Sequence, residues 1–244
     1  MEHQNEVTIA LAGNPNTGKS TLFNLLTGLK QHTGNWPGKT VIHAEGFFQH
    51  KGVSYRMIDL PGTYSLFSNS ADEEVARNYI IFEKPAVTLV VLDSTSLERN
   101  LNLALQVIEM TSNVIVCLNL MDEARKKGIR IDEQLLSKKL GVPVLKISAR
   151  NKEGITELLD AINAMANGDI QTIPISVQYS KEIEEKVMKL EPKIKEIFHD
   201  EYPARWIALR LLDGDEGLIN ELKQRISAPN KRGLSHGSSL SIQI

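Results

Sequence analysis

The sequence predicts an α/β fold: a mostly parallel six-stranded sheet with helices on both faces, followed by a small all-helical unit. Three observations predict it. An apolar run, Val7 to Leu11, leads through a Gly-rich loop straight into the helical pattern Leu22, Phe23, Leu25, Leu26. The run Val87–Leu92 is apolar at every position but Thr88, as a central strand buried on both faces should be. After Asp169 the strand signals stop and only helical spacing continues.

In chain order, strands are expected at Val7–Ala12, Val41–Gln49, Val53–Asp59, Val87–Asp93, Val114–Asn119 and Val144–Ser148. The second and third are separated by a short His-Lys-Gly stretch and read as an antiparallel hairpin. Helices are expected at Lys19–Thr27, Ala71–Phe82, Leu97–Met110, Glu133–Leu140 and Ile155–Ala166. Ser70-Ala-Asp-Glu73 and Thr95-Ser-Leu-Glu98 have the form of capping boxes at two helix starts. Beyond the sheet, Ile183, Val187, Leu190, Ile194 and Ile197 recur at helical spacing, with Pro192 expected to kink or break the helix. Pro203 opens a second helix, and Leu218, Ile219, Leu222 and Ile226 mark a third. The expected division is residues 1–169, a helical unit over 170–229, and a flexible tail over 230–244 rich in Ser, Gly and basic residues.

Composition narrows the function classes. The 244 residues suit one sizeable domain with a small appendage. A net charge of −2 and few aromatics argue against nucleic acid as a partner. Cys117, the single cysteine, lies in an apolar run, so it reads as a small core residue in a reducing compartment. No apolar stretch is long enough to span a bilayer, so this piece is expected to be soluble, and it could be one part of a longer membrane protein. His32 and His43 read as surface or hairpin residues, and no cluster with metal-site spacing suggests an iron site.

The loop itself reads GNPNTGKS: Gly13, Asn14, Pro15, Asn16, Thr17, Gly18, Lys19, Ser20, followed by Thr21. Between a strand and a helix, this pattern cradles phosphates with backbone N–H groups and the positive end of the helix dipole. Lys19 should reach the β- and γ-phosphates, and the Ser20 hydroxyl should ligate Mg²⁺. Asp59-Leu-Pro-Gly62 ends the third strand, where Asp59 can hold Mg²⁺ through water and the Gly62 amide can meet a γ-phosphate. Asn119-Leu-Met-Asp122 follows the fifth strand. The Asp122 carboxylate can accept from N1–H and N2–H₂ of guanine, a donor pair adenine lacks. Asn119 should tie this loop together or approach O6, with Met121 inside the same box. Ser148, Ala149 and Arg150 follow the sixth strand, where a backbone amide could bond O6. The expected ligand is therefore GTP or GDP with Mg²⁺.

Gln31–Thr40 contains two glycines and a proline and is expected to be a mobile loop, with Thr40 completing the Mg²⁺ shell when a γ-phosphate is present. Trp36 is an unusual residue for such a loop, either exposed or packed differently in each nucleotide state. Thr63 stands where many GTPases place a water-orienting Gln.

These motifs resemble a translation-factor-like small GTPase of the Ras-like P-loop kind. More narrowly, GNPNTGKS, HTGNWPGKTV, DLPGTYSL, LDSTSLERNLNLALQ and NLMD, with Leu120 where most G proteins have Lys, resemble the cytosolic N-terminal part of the ferrous iron transport protein B family. The likeness is close over residues 5–167, and the family's helical domain follows. Lys39 departs from the family, which usually has Val there. The resemblance implies a slowly GTP-hydrolysing switch that regulates a ferrous iron transporter at the cytoplasmic face of the bacterial inner membrane. Its partner would be a C-terminal transmembrane permease region. It also implies that Asn16 ligates K⁺ beside the β–γ bridge, so that Asn16, Lys19, Thr40 and Gly62 would form the catalytic set. A homo-oligomer is left open. The competing reading is a ribosome- or RNA-associated GTPase of the assembly or tRNA-modification type; the balanced charge of the helical unit weighs against it.

Overall fold

The computed structural model describes residues 6–28, 31–36, 39–67, 70–199 and 201–227; the expected flexible tail lies outside them. Seven strands form one sheet: β1 (Val7–Gly13), β2 (Gln31–Asn35), β3 (Ile42–His50), β4 (Val53–Asp59), β5 (Val87–Asp93), β6 (Val114–Asn119) and β7 (Val144–Lys146). Their order is β2-β3-β4-β1-β5-β6-β7. β1 runs parallel to β4 and β5, and β6 parallel to β5 and β7. β3 is antiparallel to both β2 and β4. Lys51 and Gly52, both at positive φ, join β3 to β4 in a two-residue turn, the geometry that suits the twist of a hairpin.

The seventh strand corrects the expected count of six. β2 occupies the first half of the segment expected to be a mobile loop. It pairs with β3 from Gln31 opposite Gly46 to Asn35 opposite Ile42. Its sequence, QHTGN, carries no apolar alternation, because an edge strand held by backbone bonds alone needs none.

Nine helices follow or intervene among the described residues: α1 (Lys19–Thr27), α2 (Ala71–Asn78), α3 (Leu97–Met110), α4 (Met121–Lys126), α5 (Glu133–Leu140), α6 (Ile155–Ala166), α7 (Lys181–Phe198), α8 (Ala204–Asp213) and α9 (Glu216–Ser227). Ser70 caps α2 as expected, its Oγ accepting from Glu73 N at 3.2 Å. The second capping box does not form. Ser94–Ser96 make a 3₁₀ turn, and the Asp93 carboxylate accepts from Thr95 N at 2.7 Å instead. The helix expected to reach Phe82 changes at Tyr79 into a π-helical turn, Tyr79–Glu83. α7 continues through Pro192 without the expected break. Burial of Val187 on one side of the proline and of Ile194 and Phe198 on the other keeps both halves helical.

Side-chain alternation along β1 divides the core in two. Ile9 and Leu11 face α1 and α6, with Phe23, Leu158 and Ile162. Ala10 and Ala12 face α2 and α3, with Ile80, Leu103 and Val107. The second cluster runs on without interruption into Ile194, Trp206, Ile207 and Leu218 of the helical unit. The four loops that leave β1, β4, β6 and β7 lie at one edge of the sheet, beyond the C-terminal ends of these strands, where open α/β sheets bind ligands.

Candidate nucleotide-binding site

The loop between β1 and α1 begins at Gly13, where an added Cβ would lie 2.7 Å from the Val91 carbonyl. Asn16 is left-handed (φ 66°), and so is Gly18 (φ 81°), which caps α1. The cap, a glycine, makes no side-chain bond to the first N–H groups of α1, and the first turn holds no acidic residue. That end of the helix therefore offers donors and a positive dipole to an anion. A cleft of about 590 Å³ opens there, lined by Asn14, Pro15, Asn16, Gly18, Lys19, Ser20, Thr21 and Gly62. Asn16, Ser20 and Thr21 are exposed at it, whereas Asn14, Thr17 and Lys19 are buried. The Thr17 hydroxyl donates to the Asn14 carbonyl at 3.0 Å and closes the turn.

Lys19 does not point into open space. Its Nζ donates to the Asp59 carboxylate and, at 2.7 Å, to the Leu60 carbonyl. Burial raises the Asp59 pKa, opposed by the charge of Lys19. The cation expected to meet phosphate and the carboxylate expected to meet Mg²⁺ thus neutralise each other. The chain after Asp59 lies over the loop: Leu60 N donates to Leu11 O at 3.0 Å and Thr63 N to Gly13 O at 3.3 Å. The Thr63 hydroxyl donates to Ser65 O at 2.6 Å. It is turned into the connection.

The second half of the site is organised by Asn119, which is 1% exposed. Its Nδ2 donates to Thr17 O at 2.9 Å, and its Oδ1 accepts from Ala149 N at 3.0 Å. Of the two roles expected for Asn119, the structure shows the tie. That bond commits the Ala149 N–H to Asn119. Gly18 packs so closely here that an added Cβ would sit 2.4 Å from Asn119 Nδ2. Leu120 is left-handed (φ 61°) and turns the chain into α4. Asp122 accepts from Ser148 Oγ at 2.9 Å, a bond that holds its pKa below the usual carboxylate range. Arg150 is exposed. The Met121 side chain is buried with Leu118 and Ala124 in the core.

Thr40 is exposed and absent from the cleft lining. The loop around it rests on α2 instead. Trp36 packs tilted against His43 and edge-on against Tyr79, with ring centroids 5.1 and 5.2 Å apart, and Lys39 pairs with Glu74 at 2.8 Å. Asn14, in the phosphate loop, has a buried amide with neither end hydrogen-bonded among the described residues.

Comparison with known proteins agrees over both parts of the chain. Residues 7–162 match the family model for ferrous iron transport protein B, and residues 179–234 match that for its cytosolic helical domain. An Fe(2+) transport protein A/Fe(2+) transporter FeoB fusion protein of Porphyromonas gingivalis is 42% identical over 214 residues, 86% of this chain and 25% of the relative. The Fe(2+) transporter FeoB of Escherichia coli is 39% identical over 217 residues, covering 86% of this chain and 27% of that protein. The chain therefore spans about a quarter of the length of these curated relatives. The solved cytosolic domain of the T. maritima FeoB iron transporter superposes in its GDP form I with a TM-score of 0.81 at 38% identity, covering 93% of this chain and 88% of that one. Its GMPPNP form gives 0.79 at 39%, covering 92% and 87%. No helix among the described residues is long and apolar enough to cross a membrane. The chain belongs to the ferrous iron transport protein B family.

Proposed function

We propose that this chain is a guanine-nucleotide switch that hydrolyses GTP slowly and regulates the membrane part of an Fe²⁺ transporter from the cytoplasmic face. The observation that carries the nucleotide reading is the pair of hydrogen bonds that the Asn119 side chain makes, donating to Thr17 O and accepting from Ala149 N, which joins the phosphate loop to the Ser148–Arg150 loop. Asp122 stands beside that junction with one oxygen on Ser148. A base held there would have its phosphates over α1. Solved relatives named for GDP and GMPPNP forms support the same ligand.

In this reading the backbone from Gly13 to Thr21 wraps the phosphates. Lys19 leaves Asp59 for the β- and γ-phosphates, and Asp59, Ser20 and Thr40 serve Mg²⁺, which would neutralise charge on the transferring phosphoryl group. Gly62 gives its N–H to the γ-phosphate. Asn16 gives its side-chain oxygen to K⁺, adding positive charge where an arginine finger acts in other GTPases. Residues 1–169 carry the nucleotide, and the helical unit over 170–229 passes its state to the transmembrane permease region.

The test is base selectivity. With Mg²⁺ present the protein should bind GTP and GDP and discriminate against ATP by at least a hundredfold. Asp122→Asn should lose GTP affinity and gain xanthosine triphosphate, whose C2 carbonyl suits an amide donor. Unchanged GTP affinity in that variant would refute the assignment of Asp122.

A further inference from the structure

Asn14 has a side chain that the phosphate-loop role does not explain. It is 2% exposed, and neither Nδ2 nor Oδ1 finds a partner among the described residues. It is the only described residue with both ends of an amide orphaned in this way. A buried polar group left unpaired forfeits its hydration without a replacement bond, so such a group in a native site calls for a reason. The turn does not supply one. Thr17 bonds the Asn14 main-chain carbonyl, and that bond would form with any side chain at position 14.

Placement points to the chain that lies over the loop. Asn14 continues the alternation of Ala10 and Ala12, whose face of the sheet also holds Leu60 and Leu66. It shares the cleft lining with Gly62. The connection from Leu60 to Leu66 is fixed firmly at its ends, by Leu60 N on Leu11 O at 3.0 Å and Leu66 N on Gln106 Oε1 at 2.7 Å. Its middle is held to the phosphate loop by the longer bond of Thr63 N to Gly13 O, 3.3 Å. Gly62 stands just clear of the loop, where an added Cβ would be 3.6 Å from Pro15 Cα.

We propose that Asn14 is a positioning residue for hydrolysis: its carboxamide is the buried receptor for the Gly62–Tyr64 backbone, unmade in the arrangement described and made when Gly62 moves onto the γ-phosphate. This rests on the GTPase reading and adds a part to it. Thr63 spends its hydroxyl on Ser65, so no side chain there can orient the attacking water. The placement of backbone groups must do so, and an amide with one donor end and one acceptor end can fix a peptide unit in one orientation.

The test compares wild type with Asn14→Leu, similar in size and apolar, and Asn14→Asp, which keeps only acceptors. Three quantities are read: the ratio of affinities for a non-hydrolysable GTP analogue and GDP, amide exchange over residues 60–66 with each nucleotide, and the thermal midpoint without nucleotide. Asn14→Leu should shift the ratio against the analogue at least tenfold and abolish the analogue-induced protection of Gly62–Tyr64. Its nucleotide-free midpoint should hold or rise, because an orphaned amide is gone. Asn14→Asp should fall between. A wild-type ratio with wild-type protection in Asn14→Leu would overturn the proposal. So would an equal loss for both nucleotides with a lowered nucleotide-free midpoint, the signature of a purely structural residue. If Asn14→Leu does not fold, Asn14→Ala is read by the same criteria. Failure of wild type itself to bind guanine nucleotides would break the GTPase reading, whereas an intact wild type with an indifferent variant breaks only the role of Asn14.

Discussion

Asn16 concentrates the chemistry proposed for this site in one exposed amide. Its backbone is left-handed, a conformation Asn tolerates better than most residues, and this leaves the side chain at the mouth of the cleft. No arginine lies in the phosphate loop and no Gln follows Gly62, so turnover should be slow, on the order of 10⁻³ s⁻¹. Hydrolysis should run several-fold faster in KCl than in NaCl at equal ionic strength, and Asn16→Ala should erase the difference. Equal rates of the wild type in both salts would remove Asn16 from the mechanism. The types and order of such residues were legible in the sequence because Gly, Lys, Ser and Asp recur at fixed offsets for backbone and charge reasons. What each one touches was not. The pairing of Lys19 with Asp59 spans 40 residues, and the tie from Asn119 to Thr17 spans 102. Such bonds exist only once the sheet has brought the strand ends together. A second residue-scale consequence concerns pH. Glu184 accepts from both terminal nitrogens of Arg205 at 2.7 and 2.8 Å, and these bonds, with one from Tyr179 N, hold its pKa down to about 2. A carboxylate depressed by folding adds stability above its unfolded pKa and loses it as pH falls towards the folded one. Between about pH 4.5 and 2 the thermal midpoint of wild type should therefore fall more steeply than that of Glu184→Gln. Parallel curves would show that the pair contributes nothing to folding.

The elements that sequence reasoning missed are short, polar or irregular. β2 and α4 carry little apolar pattern, the first because it pairs through its backbone at a sheet edge, the second because it has only six residues. The π-helical turn preserves the apolar residues of a helix and changes only its winding. The loop that carries Thr40 is the element with most bearing on function. Its resting place is built from Trp36 against His43 and Tyr79 and from Lys39 against Glu74, beside a cleft of about 440 Å³ that α9 also lines. The Trp36 indole N–H is buried there without a partner among the described residues, which weakens the hold. The pair Lys39–Glu74 is partly exposed and worth at most about 1 kcal/mol. A GTP analogue should draw Thr40 towards Mg²⁺ and release Trp36, giving a red-shifted and more quenchable emission than the GDP state. Lys39→Val should make the release easier, seen as a larger fraction released at subsaturating analogue. Identical Trp36 emission in the two nucleotide states would sink the idea that this loop reports the γ-phosphate.

At the scale of the whole molecule, the helical unit is fastened to the nucleotide-binding part rather than tethered beside it. Their apolar residues form one cluster, and the π-helical turn supplies Phe82, which meets Tyr202 edge-on at 5.2 Å and lies 4.0 Å from the Arg225 guanidinium. The strongest polar fastening is Arg77 of α2. It is fully buried, and its Nη1 donates at 2.5 Å to Asp215. The other oxygen of Asp215 accepts from Leu218 N at 2.9 Å, at the start of α9. α2 follows the connection that carries Gly62, so this pair links that end of the sheet to the start of α9. Breaking one partner of a buried ion pair costs about 3–5 kcal/mol, because the survivor keeps its desolvated charge, whereas replacing both can be nearly neutral. Asp215→Asn retains a residue able to accept from Leu218 N but takes away the charge facing Arg77. It should lose about 3 kcal/mol in urea unfolding, and the melting of α7–α9 should separate from that of the sheet. Arg77→Met added to Asp215→Asn should recover most of the loss. The coupling energy from that double-mutant cycle measures the fastening directly. Additive losses below about 1 kcal/mol each would mean that the apolar cluster alone joins the two parts, and that the nucleotide state must travel to the helical unit by packing.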